Sequence, residues 1–438
     1  MIVMKRSIIA VLLGLSVQAV TAEDLAEVYE IAFDYDAQLR AAGAVRDAQY
    51  EAKPLARSTL LPQIGVYGDL AYDSVNIRDS SAIASDADYG NGRLGVSLIQ
   101  PLFRRDRLER LKQADWQLEQ ADAEYAIAQQ DLVLRVANAY FSVLAAEEGV
   151  TFIRAEKKAI ERQLDQAKQR FEVGLIAITG VYEAQARYDQ ARTDEILQLN
   201  ILDNTWEQLR EIIGIKPEKL NTLKEEIALE PPMPADVDEW RSMALENNPI
   251  IKSASDATQV AQKEIDVQYS GHYPTLDLVG TYAVSRFDDD DVLDRDNGRI
   301  ALEVNVPLYT GGGVTAATRQ ARSLMIATQD QLDQARRAVD KQVRNAFRDV
   351  QASISAVESL RAGIVSAQSS VEATEAGFEV GTRTLVDVLN EQRDLYAAKR
   401  DYARARYTYV LRGLELKLAA GVLKEEDLRE INNLLDNG

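Results

Sequence analysis

Arg383 and Asp387 are the charged side chains whose spacing most directly suggests chemistry, because they stand four residues apart beside a glycine. In a helix this spacing brings a guanidinium and a carboxylate onto one face, where such a pair adds modest stability. The alternative is a functional pair. Spacing alone favours the ordinary ion pair on a helix surface.

Two other patterns could support chemistry. The acidic run Asp288–Asp291 suggests a calcium loop, but Arg295 stands where the EF-hand pattern needs a ligand. A solvated external loop explains the run more simply. His272 is the only histidine and the chain has no cysteine, so the usual partners for nucleophilic catalysis are missing. We expect no enzyme activity, no metal site and no cofactor.

A turn signal interrupts what otherwise reads as one very long helix. Gly381 breaks the helical pattern, and Thr382 and Thr384 lower helix propensity beside it. A related segment lies 207 residues earlier, where Gly174 corresponds to Gly381. The sequence therefore predicts two long helical hairpins that reverse at Val-Gly tips, formed by Val173, Gly174 and Leu175 and by Val380, Gly381 and Thr382.

The same repeat divides nearly the whole chain into two similar halves. Apolar residues that alternate with polar or small ones indicate strands, and long stretches of helical periodicity without proline indicate helices. In order, the first half (23–214) contains a helix at 24–56, a strand hairpin at 62–102 around a polar loop at 73–91, and a helical hairpin at 104–213 with its tip near 173–180.

A proline-rich linker at 215–237 separates the halves, and we expect it to pack outside the main body. Apolar residues recur about every 3.5 positions between Leu332 and Val371, which is the spacing of a coiled coil. The second half (238–421) contains a helix at 238–269, a strand hairpin at 274–308 around a loop at 288–298, and a helical hairpin at 314–420 with its tip near 379–387, and a C-terminal segment follows at 422–438.

Charge and the N-terminal residues limit the partners and the location. The formal net charge of −20 argues against nucleic acid, because phosphate binding needs a basic face. Lys5 and Arg6 precede a short apolar core at Ile8–Leu15, and small residues end at Ala22. This pattern predicts a secretory signal peptide at 1–22. An anchor helix is the less favoured alternative, because the apolar core is short for a bilayer.

The strand hairpins have the length that tilted strands need to cross a membrane. Four such strands cannot close a barrel, and an open edge in lipid leaves backbone groups without hydrogen bonds. Two chains would supply eight strands and three would supply twelve. Side chains fill an eight-stranded barrel, whereas a larger barrel leaves a lumen. A pore therefore favours three chains, with the helices projecting as a long tube from one end of the barrel.

Several motifs carry a resemblance to a known family. They are FEVGLIAIT at Phe171–Thr179, VGTRTLVDVL at Val380–Leu389, GHYPTLDL at Gly271–Leu278, and the Pro-Leu-Tyr-x-Gly-Gly joint at Pro307–Gly312. With them the chain resembles the TolC family of outer-membrane efflux channels, from residue 23 to about residue 433. The resemblance implies a mixed α and β fold. It further implies a homotrimer whose chains share a twelve-stranded outer-membrane β-barrel, four strands each, that continues into a long periplasmic α-helical coiled-coil barrel.

The resemblance also implies a function. Such a protein is an exit duct of a tripartite efflux or type I secretion system. It receives drugs or secreted proteins from an inner-membrane pump through a periplasmic adaptor protein, and it catalyses nothing itself. The segments at 215–237 and 422–438 would then form an equatorial belt around the helical barrel.

Individual residues take roles from the same resemblance. The two Val-Gly tips would meet the adaptor. Arg383 would belong to the network that closes the periplasmic entrance, and Asp387 would face the lumen as a threefold carboxylate ring that favours cations.

Three positions of the expected entrance depart from the family pattern. Gly180 follows Thr179 where the family has an acidic residue, so a bond from Arg383 to that side chain is unavailable to this chain. Asn390 stands where the family has a second aspartate, which leaves one charged ring rather than two. Phe378 replaces a tyrosine and lacks its hydroxyl. We expect the closed state to be held differently or less firmly.

Two other classes of protein fit the sequence less well. A purely structural periplasmic coiled-coil protein without channel activity would not need strand hairpins at matching places in both halves. A hydrolase with dispersed carboxylates would need a concave pocket within one chain, and tandem hairpins do not predict one. Efflux of drugs and secretion of proteins would use the same duct, and the sequence does not separate them.

Overall fold

The computed structural model describes residues 23–76, 86–287 and 294–436. The predicted signal peptide at 1–22 and the acidic run Asp288–Asp291 lie outside these ranges. Helices dominate the fold, and four strands form one sheet. None of the helices within the described ranges contains an apolar stretch of the length that a bilayer crossing needs.

Two helical hairpins form the long body of the molecule. In the first, α4 (Arg105–Glu172) is followed by α5 (Ile178–Ile213). In the second, α8 (Gly313–Glu379) is followed by α9 (Leu385–Ala419). With 68 residues, α4 is about 100 Å long at 1.5 Å per residue. The tips therefore lie about 100 Å from the sheet.

Burial along α8 follows the coiled-coil spacing. A position that recurs every 3.5 residues faces a neighbouring helix continuously, so its side chains are shielded from water. Every apolar position of the predicted series is buried or half-buried, namely Leu332, Ala335, Val339, Val343, Phe347, Val350, Ile354, Val357, Leu360, Ile364, Ala367 and Val371.

The predicted single helix over 24–56 is wrong, because the chain forms three helices there. They are α1 (Leu25–Tyr35), α2 (Ala37–Tyr50) and α3 (Ala52–Ser58). Asp36 separates the first two, and its Oδ1 accepts a hydrogen bond from the N–H of Leu39 at 2.7 Å. An aspartate that caps a helix start has left the helical conformation, so the preceding helix ends at that residue.

The predicted single helix over 238–269 is wrong for a similar reason. The chain forms α6 (Val237–Asn247) and α7 (Pro249–Tyr269) instead. Asn248 caps α7 by accepting from the N–H of Ile250 at 2.9 Å, and Pro249 occupies the first helical position. Proline is favoured there because its missing N–H would have no partner within the helix.

The four strands form one antiparallel sheet in chain order: β1 (Gln63–Asn76), β2 (Asp86–Phe103), β3 (Thr275–Phe287) and β4 (Arg295–Asn305). Pairing of β2 with β3 joins the two halves of the chain. The strands are longer than predicted, because β1 and β2 pair through much of the expected loop at 73–91. Likewise β4 begins inside the expected loop at 288–298.

The register places the alternating apolar residues of all four strands on one face. Residues directly opposite each other in an antiparallel pair point to the same side. Ile64 lies opposite Leu98, Val96 lies opposite Tyr282, and Leu278 lies opposite Leu302. The other face carries mostly polar or small residues, including Asp69, Arg93, Ser97, Thr281, Arg299 and Glu303.

The linker at 215–237 is not packed outside the body as predicted, because part of it enters the core. Leu220 and Leu223 are buried in the largest apolar cluster, beside α1, α4, α5 and α9 and the short helix α10 (Glu425–Asn432). The buried Arg406 donates to the carbonyl oxygens of Lys224 at 2.9 Å and Glu225 at 3.1 Å. These bonds fix the linker to α9 at mid-length.

Candidate functional site at the hairpin tips

The first tip is a tight reversal closed by backbone hydrogen bonds. The N–H of Gly174 donates to the carbonyl of Phe171 at 2.9 Å, and the N–H of Leu175 donates to the carbonyl of Arg170 at 2.8 Å. Gly174 has a φ of +75°, a left-handed conformation that side chains disfavour. Glycine is therefore required at this point of the turn.

The second tip repeats this geometry. The N–H of Gly381 donates to the carbonyl of Phe378 at 3.1 Å, and the N–H of Thr382 donates to the carbonyl of Gly377 at 2.8 Å. Gly381 has a φ of +79°. Each of these four residues lies 207 positions after its counterpart, so equivalent residues make equivalent bonds.

The tips expose apolar side chains at the end of the molecule. Val173 is 71% exposed, Leu175 is 73% exposed and Val380 is 76% exposed. Thr382 is also exposed and occupies the position of Leu175 in the second tip. The transfer of valine and leucine side chains out of water lowers the free energy. The tips are thus suited to contact with another molecule.

The start of α9 is fixed by a capping box. The hydroxyl of Thr384 accepts from the N–H of Asp387 at 3.2 Å, and Oδ2 of Asp387 accepts from the N–H of Thr384 at 2.9 Å. The Thr384 hydroxyl also bonds to the same carboxylate at 2.8 Å. These bonds, with a smaller contribution from Arg383, lower the pKa of Asp387 below its usual value. Asp387 is therefore charged at neutral pH.

The ion pair between Arg383 and Asp387 that the spacing favours is not formed. Arg383 precedes the first residue of α9, so the two side chains do not share a helix surface. Among the ion pairs within the described ranges, none joins them. Arg383 is exposed, and the Asp387 carboxylate bonds to Thr384 instead.

The start of α5 has no comparable cap. Ala177 occupies the capping position without a side chain that could accept a hydrogen bond, and the first turn contains no acidic residue. Thr179 is exposed and Gly180 is half-buried. Gly180 occupies the third helical position, which Asp387 occupies in α9. The two helix starts at this end therefore differ in chemistry.

Two contacts between the hairpins involve residues that the sequence did not single out as functional. Arg187 on α5 donates through Nη2 to Oδ1 of Asn390 on α9 at 2.8 Å. The guanidinium of Arg170 lies 4.5 Å from the ring centre of Phe378. Phe378 and Asn390 were identified from the sequence, but their arginine partners were not. Arginine is common on helix surfaces, and neither Arg170 nor Arg187 stands out by spacing.

An apolar cluster lies behind these contacts. It joins α4, α5 and α9, and its buried members are Ile160, Leu164, Ala167, Ala184, Ala191, Leu385 and Leu389. Farther along α4, the buried Glu156 pairs with Arg400 of α9 at 3.2 Å, and burial raises the pKa of Glu156 above its usual value. The two hairpins are thus packed together near their tips.

The other candidate residues do not form a reactive centre. His272 is exposed, and its ring packs edge-on against Tyr269 at 5.4 Å. Within the described ranges, no three histidine or acidic side chains are grouped closely enough to hold a metal ion.

The chain is thus an elongated protein, with helical hairpins about 100 Å long that have exposed apolar tips at one end and a sheet with one apolar face at the other. The family model described as outer membrane efflux protein matches residues 28–215 and 240–422. The chain belongs to the outer membrane efflux protein family.

Individual relatives agree with this assignment. The outer membrane protein TolC of Vibrio cholerae is 40% identical over 425 residues, which cover 96% of this chain and 95% of the relative. TolC of Escherichia coli is 36% identical, with coverage of 98% and 89%.

Solved structures share the fold at lower identity. The outer membrane protein VceC of Vibrio cholerae matches with a TM-score of 0.77 and 18% identity, covering 91% of this chain and 96% of that one. The CmeC outer membrane channel of Campylobacter jejuni matches with a TM-score of 0.80 and 15% identity, covering 94% and 90%.

These findings confirm the resemblance to the TolC family, the outer-membrane location with a periplasmic extension, and the function of an exit duct. They favour this function over a structural coiled coil without channel activity.

Proposed function

We propose that three copies of this chain form one duct, with a shared twelve-stranded barrel in the outer membrane and a helical barrel in the periplasm. The sheet is the observation that carries the proposal. In its described part, β1 and β4 each pair with one neighbour, so each leaves one edge open. Open edges in lipid are costly, and pairing of β4 in one copy with β1 in the next removes them.

The two faces of the sheet support this orientation. On the apolar face, Leu70 is 91% exposed and Ile300 is 84% exposed in the single chain. A barrel that turns this face outward places these side chains in lipid, and it turns Asp69, Arg93 and Arg299 toward an aqueous lumen. This is the arrangement of a barrel with a polar interior.

The helical part also exposes apolar surface that a second copy would cover. Leu197 and Ile201 lie on one face of α5 and are each about half-exposed. Residues four apart share a helix face, and apolar residues at this spacing are usual at a helix–helix contact. We propose that neighbouring chains cover this face in the periplasmic barrel.

The tips are proposed to contact a periplasmic adaptor, and the duct then receives its substrates from an inner-membrane pump that supplies the energy. The exposed Val173, Leu175 and Val380 support this role, because they provide apolar contact area at the far end of the body. The tip glycines reverse the chain sharply enough to leave these side chains outermost.

The entrance residues keep their proposed roles. A ring of three Asp387 carboxylates would attract cations, and the capping box supports this because it keeps each carboxylate charged. Arg383, Thr179 and Gly180 would lie beside the ring. Without an acidic residue at 180, other contacts must hold the entrance closed.

The proposed substrates are drugs or secreted proteins. Among the proteins similar to this chain, one is named for protein secretion and another for resistance to metals. The alkaline protease secretion protein AprF of Pseudomonas aeruginosa is 29% identical over 408 residues. The cobalt-zinc-cadmium resistance protein CzcC of Cupriavidus metallidurans is 25% identical over 301 residues.

Two measurements on the purified mature protein test the proposal. Native mass spectrometry should give three chains, and planar bilayers should show a small, long-lived, cation-selective conductance that divalent cations reduce. A stable oligomer that never inserts would refute the duct. A conducting assembly of two or four chains would refute the trimer alone.

A further inference from the structure

Two contacts between the hairpins near the tips share one feature: the first hairpin supplies a cation and the second supplies an uncharged group. Arg187 bonds to the amide of Asn390, and Arg170 packs on the ring of Phe378. Neither arginine makes an ion pair among the described residues. Both therefore direct their charge to a neutral partner on the other hairpin.

Arg187 must be the donor in its hydrogen bond with Asn390. A guanidinium carries donors and no acceptor, so the amide oxygen of Asn390 must face Arg187. Among the side-chain hydrogen bonds within the described ranges, this is the one that joins α5 to α9. Both side chains are half-buried, which shields the bond from competing water.

The bond lies close to the tips and therefore restrains their movement. Asn390 lies six residues after Thr384, less than two turns from the start of α9, and directly after the buried Leu389. Moving the start of α9 away from α5 must break this bond. A cavity of about 400 Å³ adjoins Arg187 and Leu389, so the freed guanidinium has space without repacking of the core.

From this geometry we infer that Arg187 is a positioning residue that holds the second hairpin against the first in the closed entrance, by its bond to Asn390. Arg170 on Phe378 is the second point of contact, nearer the tips. The inference rests on the proposed duct. The bond explains how an entrance without an acidic residue at 180 can stay closed, and it gives Asn390 a bonding role in place of a lumenal charge.

The test is a double-mutant cycle read as single-channel open probability and conductance. Arg187→Met keeps an unbranched apolar stem without the guanidinium donors, and Asn390→Leu removes the acceptor without changing charge. Each should raise the open-to-closed ratio about tenfold for each protomer that opens, and about a thousandfold if the three protomers open together, because each protomer loses one hydrogen bond to a charged group. The double variant should open no more than either single variant.

Two further variants separate positioning from general structure. Asn390→Asp keeps an acceptor for Arg187 and makes the bond stronger, so it should open less than the wild type. Arg192→Met removes a positive charge from an exposed position of the same helix and should leave gating unchanged. All variants should remain trimers in native mass spectrometry.

Additive effects of Arg187→Met and Asn390→Leu would overturn the inference, because the two residues would then act separately. So would wild-type gating in both single variants. These outcomes are distinct from failure of the proposed function, in which the wild-type protein itself forms no conducting assembly.

Discussion

The difference between the two helix starts allows the capping box of α9 to be transplanted into α5. Thr384 and Asp387 occupy the capping position and the third helical position of α9, and Ala177 and Gly180 occupy the same positions in α5. We expect Ala177→Thr combined with Gly180→Asp to stabilise the first turn of α5. The backbone of Ala177 is already extended, with φ −76° and ψ 154°, as a capping residue requires.

The expected gain comes from three terms. A new capping hydrogen bond contributes about 1 kcal/mol, an acidic residue in the first turn about 0.3–1 kcal/mol, and replacement of a helical glycine a few tenths. Their sum is about 1.6–2.3 kcal/mol, or an about 15- to 50-fold lower population of the frayed turn. The new side chain has room, because a Cβ at Gly180 would lie 3.5 Å from Cδ1 of Ile176, an ordinary contact.

Amide hydrogen exchange measured by mass spectrometry on peptides covering 176–184 reads this population directly. Exchange there should slow about 15- to 50-fold, whereas peptides from 383–391 should not change. Gly180→Ala alone is the matched control, because it restores helix propensity without a cap. If the double variant exchanged no more slowly than this control, the capping argument would be refuted.

Three further predictions follow from single contacts. Asp387→Ala should reduce cation selectivity in planar bilayers and weaken block by divalent cations, and unchanged selectivity would contradict the lumenal ring. Proline at position 381 cannot adopt a φ of +79° and lacks the N–H that bonds to Phe378. Gly381→Pro should therefore leave trimers intact in native mass spectrometry, while drug efflux is lost in a cell that depends on this duct. Loss of the trimer would show that the tip has a structural role instead. Burial opposes the charge of Asp36, but two 2.9 Å hydrogen bonds from Arg135 outweigh burial and lower the pKa of Asp36. The contribution of this carboxylate to thermal stability should therefore be present above about pH 4 and should fall as the pH drops through the lowered pKa. Asp36→Asn should reduce the loss of melting temperature on the acid side.

Long-range patterns in this sequence could be interpreted because one physical cause dominates each. The tip glycines need positive φ, so they interrupt helices that otherwise continue for dozens of residues. Alternation in the strands sets one face, which is why Ile64, Val96 and Leu302 lie on the same side of the sheet.

Short-range breaks were harder to predict. Asp36 and Asn248 could equally have been exposed residues within a helix, and only their bonds to backbone N–H groups identify them as caps.

Contacts between distant parts of the chain could not be predicted from spacing at all. Arg187 and Asn390 are 203 residues apart, and nothing local marks the arginine as their link. Leu220 is completely buried, but its burial could not be predicted from the surrounding prolines and charged residues. Predicting such residues requires knowing which helices are neighbours.

The unequal tips have a consequence for symmetry. Three chains arranged in a ring would present six tips that alternate between two kinds, Val-Gly-Leu and Val-Gly-Thr, although their backbone hydrogen bonds are equivalent. The backbone shape would approximate sixfold symmetry, whereas the side-chain chemistry would repeat only three times. A partner built from six identical subunits would therefore occupy two different environments, and alternate subunits would bind with different affinity.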